Sequence, residues 1–259
     1  MNKYEGRYKG MKKNRILVIL LFIAGLLLVG CATGSKKYAN DFFDQGVVWF
    51  QKGEYDRAVD DFSKALEMSP EESDNYVVYY NRGRAHYKNR AYDEAIEDFT
   101  VSLRLTPGMN SKGQYLPDIY DSSMVVIKPP TPKIEYELFN VYKARGDAWF
   151  YKEAYQRAID DYSLALKYGA QRKPLPSVYE GRGWARFEQG NFDGAIEDFT
   201  TALSIDSRMA QAYFGRARAL SEKGNTEMAL RDARMALKLR PDNREYDDLV
   251  FDLRSSKKD

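Results

Sequence analysis

Five acidic side chains recur in matching local sequence along the chain: Asp61, Asp98, Asp161, Asp198 and Asp232. The first four each follow a second acid, Asp60, Glu97, Asp160 and Glu197. Paired carboxylates can share acid/base work or hold a hard cation. Adjacent residues on a helix, however, point about 100° apart and do not face one another. Repetition in every copy also suits a structural task better than a single active site. Arg82, Arg145, Arg182 and Arg216 stand at matching positions upstream of four of these acids. The pattern predicts bridges from Arg82 to Asp98, Arg145 to Asp161, Arg182 to Asp198 and Arg216 to Asp232, pinning paired helices together. Exposed pairs contribute about 0–1 kcal/mol each, so single losses are expected to be tolerated. The one histidine, His86, takes the place held elsewhere by Trp49, Trp149, Arg186 and Leu220, which favours packing over catalysis. No Cys/His metal set can be assembled. Phosphate-loop, dinucleotide, calcium-loop and zincin motifs are all missing from the sequence. The expectation is a protein with no catalytic residue, no metal and no cofactor, not an enzyme.

Cys31, the only cysteine, follows a segment unlike the rest. Residues 16–30 contain no polar side chain, with Lys12, Lys13 and Arg15 before them and small residues after. A positive start, a short apolar stretch and a small-residue exit make a secretory signal. Fifteen apolar residues fall short of the roughly 20 a helical span needs; a short uncleaved anchor is the alternative. Leu28-Val29-Gly30-Cys31 resembles the lipobox of bacterial lipoproteins. That resemblance implies cleavage after Gly30, lipid on Cys31 and attachment within the bacterial cell envelope. Ala32 rather than Asp behind the cysteine favours the outer membrane of a two-membrane organism. Met11 is the expected true start, since residues 1–10 add nothing a signal needs. A lone thiol in an exported chain forms no internal disulfide. Of 40 basic and 38 acidic residues, six basic and one acidic lie in residues 1–30, leaving a net charge of about −3. A mildly acidic remainder argues against nucleic acid as partner. A mean hydropathy of −0.61 excludes a polytopic membrane protein.

The acids belong to a longer internal repeat. Ala-Ile-Glu-Asp-Phe-Thr stands at 95–100 and again at 195–200, Ala-Ile-Asp-Asp-Tyr-Ser at 158–163 and Ala-Val-Asp-Asp-Phe-Ser at 58–63. Upstream, Gly46, Gly83, Gly146, Gly183 and Ala217 share one position. Tyr79, Gly83 and His86 fall on one helical face, as do Ala95, Phe99, Ser102 and Leu103. Glycine inside a helix costs about 0.5–1 kcal/mol against Ala; close approach of the second helix through Ala58, Ala95, Ala158, Ala195 and Ala229 is the expected reason. Pro70, Pro107 and Pro241 close their copies. Gly53, Gly190 and Gly224 suit a left-handed turn between paired helices, whereas Arg90 and Glu153 leave the turn geometry of the second and third copies open.

These features resemble the tetratricopeptide repeat (TPR) family, with units at 39–72, 76–109, 139–172, 176–209 and 210–243. The resemblance implies an all-α, right-handed superhelix of about five helix–turn–helix repeats. Residues 244–259 are expected to form a capping helix and tail, shielding the last unit with Tyr246, Leu249, Val250 and Leu253. Residues 31–38 form the lipidated cysteine and linker. Residues 110–138 are a proline-containing insertion that matches no unit, and such long stretches are often functional. Within it, Thr131-Pro132 reads as an N-cap and first helical residue, which would start the next helix early.

The resemblance also implies a concave groove lined by helix A of each unit. Its candidate residues are Phe43 and Phe50 in the first unit, and Tyr80, Arg84, Tyr87 and Lys88 in the second. The third gives Lys143, Asp147, Phe150 and Tyr151, the fourth Trp184 and Phe187, and the fifth Phe214 and Arg218. Aromatics with cations suit a protein-binding patch, although some of the rings could pack between units instead. The carboxylate clamp of chaperone-binding family members is not matched, since Phe43, Val47, Asn140 and Ala144 stand at its other positions and only Asn81 fits. The implied function is a membrane-tethered scaffold for an envelope protein or peptide near the membrane. The alternative is a carrier of a small apolar ligand with residues 110–138 as lid.

Overall fold

The computed structural model describes residues 36–70, 74–109, 131–169 and 175–255. Those residues form eleven helices. They are α1 (36–52), α2 (Tyr55–Met68), α3 (Asn75–Lys88), α4 (Tyr92–Leu105), α5 (Pro132–Tyr151) and α6 (Tyr155–Gly169). The chain continues through α7 (Pro176–Glu188), α8 (Phe192–Ile205), α9 (Ala210–Glu222), α10 (Thr226–Leu239) and α11 (Arg244–Ser255). From α2 onward each helix packs on the next, and α3, α5, α7 and α9 also meet in succession. This is an all-α solenoid. No helix among the described residues is long and apolar enough to cross a membrane. Residues 1–35 and 110–130, with the signal, Cys31 and most of the insertion, lie outside the described residues.

Helical periodicity builds each second helix. In α8, Ala195, Phe199, Ala202 and Leu203 fall on one face and are buried, while Asp193, Glu197 and Thr200 face outward. The glycines of the first helices answer to a different neighbour from the one expected. A β-carbon on Gly83 would stand 2.8 Å from the Phe99 ring, and one on Gly183 would stand 2.9 Å from Phe199. Both rings are fully buried. The missing side chain therefore makes room for an aromatic ring four residues beyond the buried alanine, not for the alanine itself. The fifth unit shows the converse: Ala217 replaces glycine where Ala233 replaces the ring, and both are fully buried.

All five turns between paired helices share one geometry. Gly53, Gly190 and Gly224 have φ of 81°, 82° and 76°, and Arg90 and Glu153 adopt 62° and 58° in the same place. The amide of each reaches a carbonyl three residues back, and the next amide reaches one five back, as with Arg90 N to Tyr87 O and Ala91 N to His86 O. Two satisfied helix-end carbonyls hold a conformation that costs an ordinary residue about 1–2 kcal/mol. The chemical departures at Arg90 and Glu153 therefore leave the turn unchanged.

Helix α5 starts at Pro132, inside the segment assigned to the insertion, and runs for 20 residues against 13–15 in its neighbours. The Thr131 hydroxyl accepts from the Ile134 amide at 3.4 Å. The added turns bury Leu138, and Phe139 presses against the backbone of Gly169. At the other end, α11 caps the stack: Tyr246, Val250 and Leu253 are buried, and Leu249 packs partly buried beside them.

Candidate functional site

The four arginine–aspartate pairs form with one geometry. Nε and Nη2 of each arginine donate to the two carboxylate oxygens, at 2.9 and 2.7 Å for Arg82 and Asp98 and at 2.7 and 2.8 Å for Arg145 and Asp161. The same fork joins Arg182 to Asp198 at 3.0 and 2.8 Å and Arg216 to Asp232 at 2.6 and 2.9 Å. The carboxylates are not exposed, as the low estimate of their worth assumed; their side chains retain 2–12% accessibility. Burial alone would lower the Arg145 pKa, but its hydrogen bonds and charge contact with Asp161 outweigh that and raise it. Removing one partner of such a buried pair leaves an unpaired charge and costs about 3–5 kcal/mol, so tolerance of single losses is not expected.

Nη1 of each arginine does a second task. It donates to a hydroxyl on the preceding unit: Ser63 from Arg82, Thr100 from Arg145, Ser163 from Arg182 and Thr200 from Arg216, all at 3.0–3.1 Å. The first unit has Gln45 in place of the arginine, and there Asp61 accepts from Trp49 Nε1 at 3.0 Å and Lys64 at 2.8 Å. Asp198 takes a second cation, Arg186, at 2.9 Å. His86 stands 3.8 Å from Asp98; burial lowers its pKa below 6.5 against the pull of that carboxylate. These acids hold the scaffold together. No group of three or more His, Cys, Asp or Glu that could hold a metal occurs among the described residues.

The groove lies on the first helices. Tyr80, Arg84, Tyr87, Lys88, Lys143 and Asp147 line a cavity of about 200 Å³ between α3 and α5, with Asn140. A wider hollow of about 500 Å³ joins α5, α7, α9 and α11 and is lined by Lys143, Phe150, Tyr151, Trp184, Phe214 and Arg218. Lys143 belongs to both, so the two hollows are adjacent. Within them, Lys143 Nζ donates to Asp147 Oδ2 at 2.7 Å and Tyr162 Oη to Asp147 Oδ1 at 2.8 Å. Asp147 is thus an anchor for Lys143 rather than a free contact. Arg84 lies 4.5 Å from the Phe50 ring centre, and Arg218 lies 4.5 Å from that of Phe187. Tyr151 stacks on Tyr92 at 5.1 Å and remains 57% exposed.

Three expected groove residues add little to it or lie apart from it. Phe187 and Phe214 are buried, the first between Trp184 and Phe192 and the second against Tyr246 of the capping helix. They support the groove wall and offer little surface. Phe43 packs on Phe62 and lines a separate hollow at the N-terminal edge, with Ala39, Val78 and Lys133. Glu180, Ser177 and Gln211 line the wider hollow although a search for aromatics and cations passes over them. Glu180 occupies the same unit position as Tyr80, Lys143 and Phe214, whereas Ser177 and Gln211 stand at the second position of their units, where no groove residue was expected. Glu245, from α11, also reaches it. Burial raises the Glu180 pKa above 4.5, opposed by the charges of Arg240 and Lys143.

A repeated helix pair with this groove defines a solenoid interaction domain. The tetratricopeptide repeat model matches residues 43–110 and 181–244, about half the chain. The chain belongs to the tetratricopeptide repeat family, whose members generally mediate protein–protein contacts. Among solved structures it is similar to MamA (20% identity, 81% of this chain and 96% of that one, TM-score 0.60). It is also similar to YrrB, described as a TPR protein with an unusual peptide-binding site (18% identity, 83% and 90%, TM-score 0.59). A third is PilF of Pseudomonas aeruginosa (15% identity, 87% of each chain, TM-score 0.61). At these identities the likeness is one of fold. No curated protein matches the sequence.

Proposed function

We propose that this protein is a lipid-anchored scaffold of the bacterial cell envelope that holds an extended segment of a partner protein in its concave groove. The supporting observation is the pair of adjacent hollows along α3, α5, α7 and α9, lined by Tyr80, Arg84, Tyr87, Lys143 and Tyr151. Rings beside cations give contact area and directional hydrogen bonding at low entropic cost. Attachment through Cys31 keeps this surface near a membrane, the outer one in a two-membrane organism. Because α1 already begins by residue 36, at most Ala32 to Ser35 can extend as tether. Four residues span about 14 Å, so the partner is itself membrane-bound or membrane-proximal.

The test is a pull-down from envelope extract with the full lipidated chain in detergent, read by mass spectrometry. Changing Tyr80, Arg84 and Tyr151 to Ala together should remove a specific captured protein. Loss of one central anchor commonly costs about 2 kcal/mol, roughly thirtyfold in affinity. Unchanged capture by a folded triple variant would place the binding surface elsewhere.

A further inference from the structure

The charges of the groove that lack an ionic partner are unevenly distributed along its length, cations alone at one end and chiefly acids at the other. Arg84 and Lys88 form no ion pair with a described residue, and both line the hollow between α3 and α5. Lys143, the third cation there, is held by Asp147. At the other end, Glu180 on α7 and Glu245 on α11 line the wider hollow, and neither forms an ion pair with a described residue. Of the two cations on that hollow, Lys143 is committed to Asp147. Arg218 forms no ion pair with a described residue and lies over the rings of Phe187, Trp184 and Phe214, as Arg84 lies over Phe50 and Tyr80, so two acids outnumber one unpaired cation on that hollow. Phe150 and Tyr151 from α5 and Trp184 from α7 line the same wider hollow as the two glutamates.

Charge without a partner in a partly enclosed site is unfavourable, and a ligand group of opposite sign relieves it. Burial raises the Glu180 pKa, opposing its ionisation more than the charges of Arg240 and Lys143 favour it.

Resting on the reading of this groove as a peptide-binding surface, we propose that its occupant is an extended segment with an acidic end, an apolar middle and a basic end. The acidic end pairs with Arg84 and Lys88, the middle lies on Phe150, Tyr151 and Trp184, and the basic end pairs with Glu180 and Glu245. This imbalance sets the direction in which the segment lies, since the reversed segment meets an excess of like charge at both ends.

The experiment uses the full chain in detergent and labelled nine-residue peptides, followed by fluorescence anisotropy. One peptide carries three glutamates, three leucines and three lysines in blocks. The control has the same composition with the charges alternating. A photo-crosslinking group on the glutamate end reports orientation. The block peptide should bind about tenfold more tightly than the control and crosslink to α3. Arg84→Glu with Lys88→Glu, or Glu180→Lys with Glu245→Lys, should each weaken the block peptide about tenfold. All four changes together should restore affinity and move the crosslink to α7 or α11. Equal binding of block and alternating peptides, or a crosslink that stays on α3 in the fourfold variant, would overturn the proposal. Should a reversal variant not fold by circular dichroism, Arg84→Gln and Glu180→Gln replace it, each expected to weaken the block peptide and to spare the control. The pull-down of the native partner separates this proposal from the reading beneath it. Capture that depends on Tyr80, Arg84 and Tyr151 while the peptides fail to discriminate sinks only the charge-sorted segment. Capture independent of the groove sinks both.

Discussion

Arg145 donates from Nη1 to the Thr100 hydroxyl at 3.1 Å across forty-five residues of sequence, while its Nε and Nη2 grip Asp161 in its own unit. Arg82 with Ser63 and Arg182 with Ser163 repeat the contact over nineteen residues. The insertion between the second and third units therefore changes the connection and not the register of the stack. Each arginine joins three helices: its own, the one paired with it, and the second helix of the preceding unit. The hydroxyl is present in every unit that another arginine follows. In the last unit, followed only by the cap, Arg234 takes that place.

Removing Arg145 should cost more than removing Arg182. Asp161 is a buried carboxylate bridged by Arg145 at 2.7 Å, whereas Asp198 keeps Arg186 at 2.9 Å when Arg182 is gone. Arg145→Ala should lose about 3–5 kcal/mol and Arg182→Ala distinctly less. Replacing both Arg145 and Asp161 by Leu should recover most of the loss, since no charge remains buried. Urea unfolding of the four proteins checks the order; equal losses for the two single variants would contradict it.

Gly83→Ala should destabilise by about 1–3 kcal/mol, the usual cost of overpacking a filled core. Its β-carbon would meet Phe99 at 2.8 Å and the Asp98 side chain at 3.1 Å, so ring and ion pair would shift together. In the fifth unit Ala217 is tolerated because Ala233 faces it, so Ala233→Phe should destabilise unless combined with Ala217→Gly. Thermal melting of the single and double variants reads the coupling.

The repeat was legible because its signals are local and periodic: small residue, buried alanine and aspartate return at fixed spacing. Its bridges followed because arginine and aspartate share that spacing. Their burial did not, since it depends on neighbouring units closing over them. The glycine's true partner was visible only once Ala217 and Ala233 were compared as a pair. In the groove, composition favoured rings and cations and so passed over Glu180 at an equivalent helix position. Glu245 was out of reach, because the docking angle of a terminal helix is set by tertiary packing. Phe214 lines the wider hollow but offers it little surface for the same reason, being covered by Tyr246 from that helix.

Arg90→Gly and Glu153→Gly should each stabilise the protein, by about 0.5–1 kcal/mol. Both residues hold φ near 60°, which costs an ordinary side chain about 1–2 kcal/mol. Part of the gain is offset by the greater freedom of glycine in the unfolded chain. The same change at exposed Lys223, one residue before Gly224 and with φ of −86°, should bring no such gain. Denaturant midpoints of the three variants make the comparison.

Acidification should weaken the protein through His86. Burial lowers its pKa in the folded state below 6.5, with Arg82 adding to that and Asp98 opposing it. A histidine with a depressed folded pKa takes up its proton first in the unfolded chain. Its contribution is therefore complete above 6.5 and falls as pH drops toward the folded value. Between roughly pH 7 and pH 5 the wild type should lose more stability than His86→Gln, in which that titration is gone. Parallel pH profiles for the two proteins would refute this.

Cys31→Ala should release the protein from the membrane or leave its signal uncleaved. Cys31 is the only thiol, so no other residue can take the lipid. A single acyl chain holds a protein only marginally, whereas several hold it stably, so the mature wild type should resist high salt and carbonate and yield only to detergent. Mass spectrometry of the N-terminus should find cleavage after Gly30 and a modified Cys31. On the proposed reading, the anchor is coupled to the groove by at most the four residues 32–35, which could span about 14 Å. Inserting a flexible twenty-residue linker after Ser35 should preserve membrane attachment while lowering capture of a membrane-proximal partner, because the effective concentration at the groove falls as the tether lengthens. Attachment of Cys31→Ala identical to wild type would remove the lipid anchor, and capture unaffected by the linker would remove the requirement for proximity.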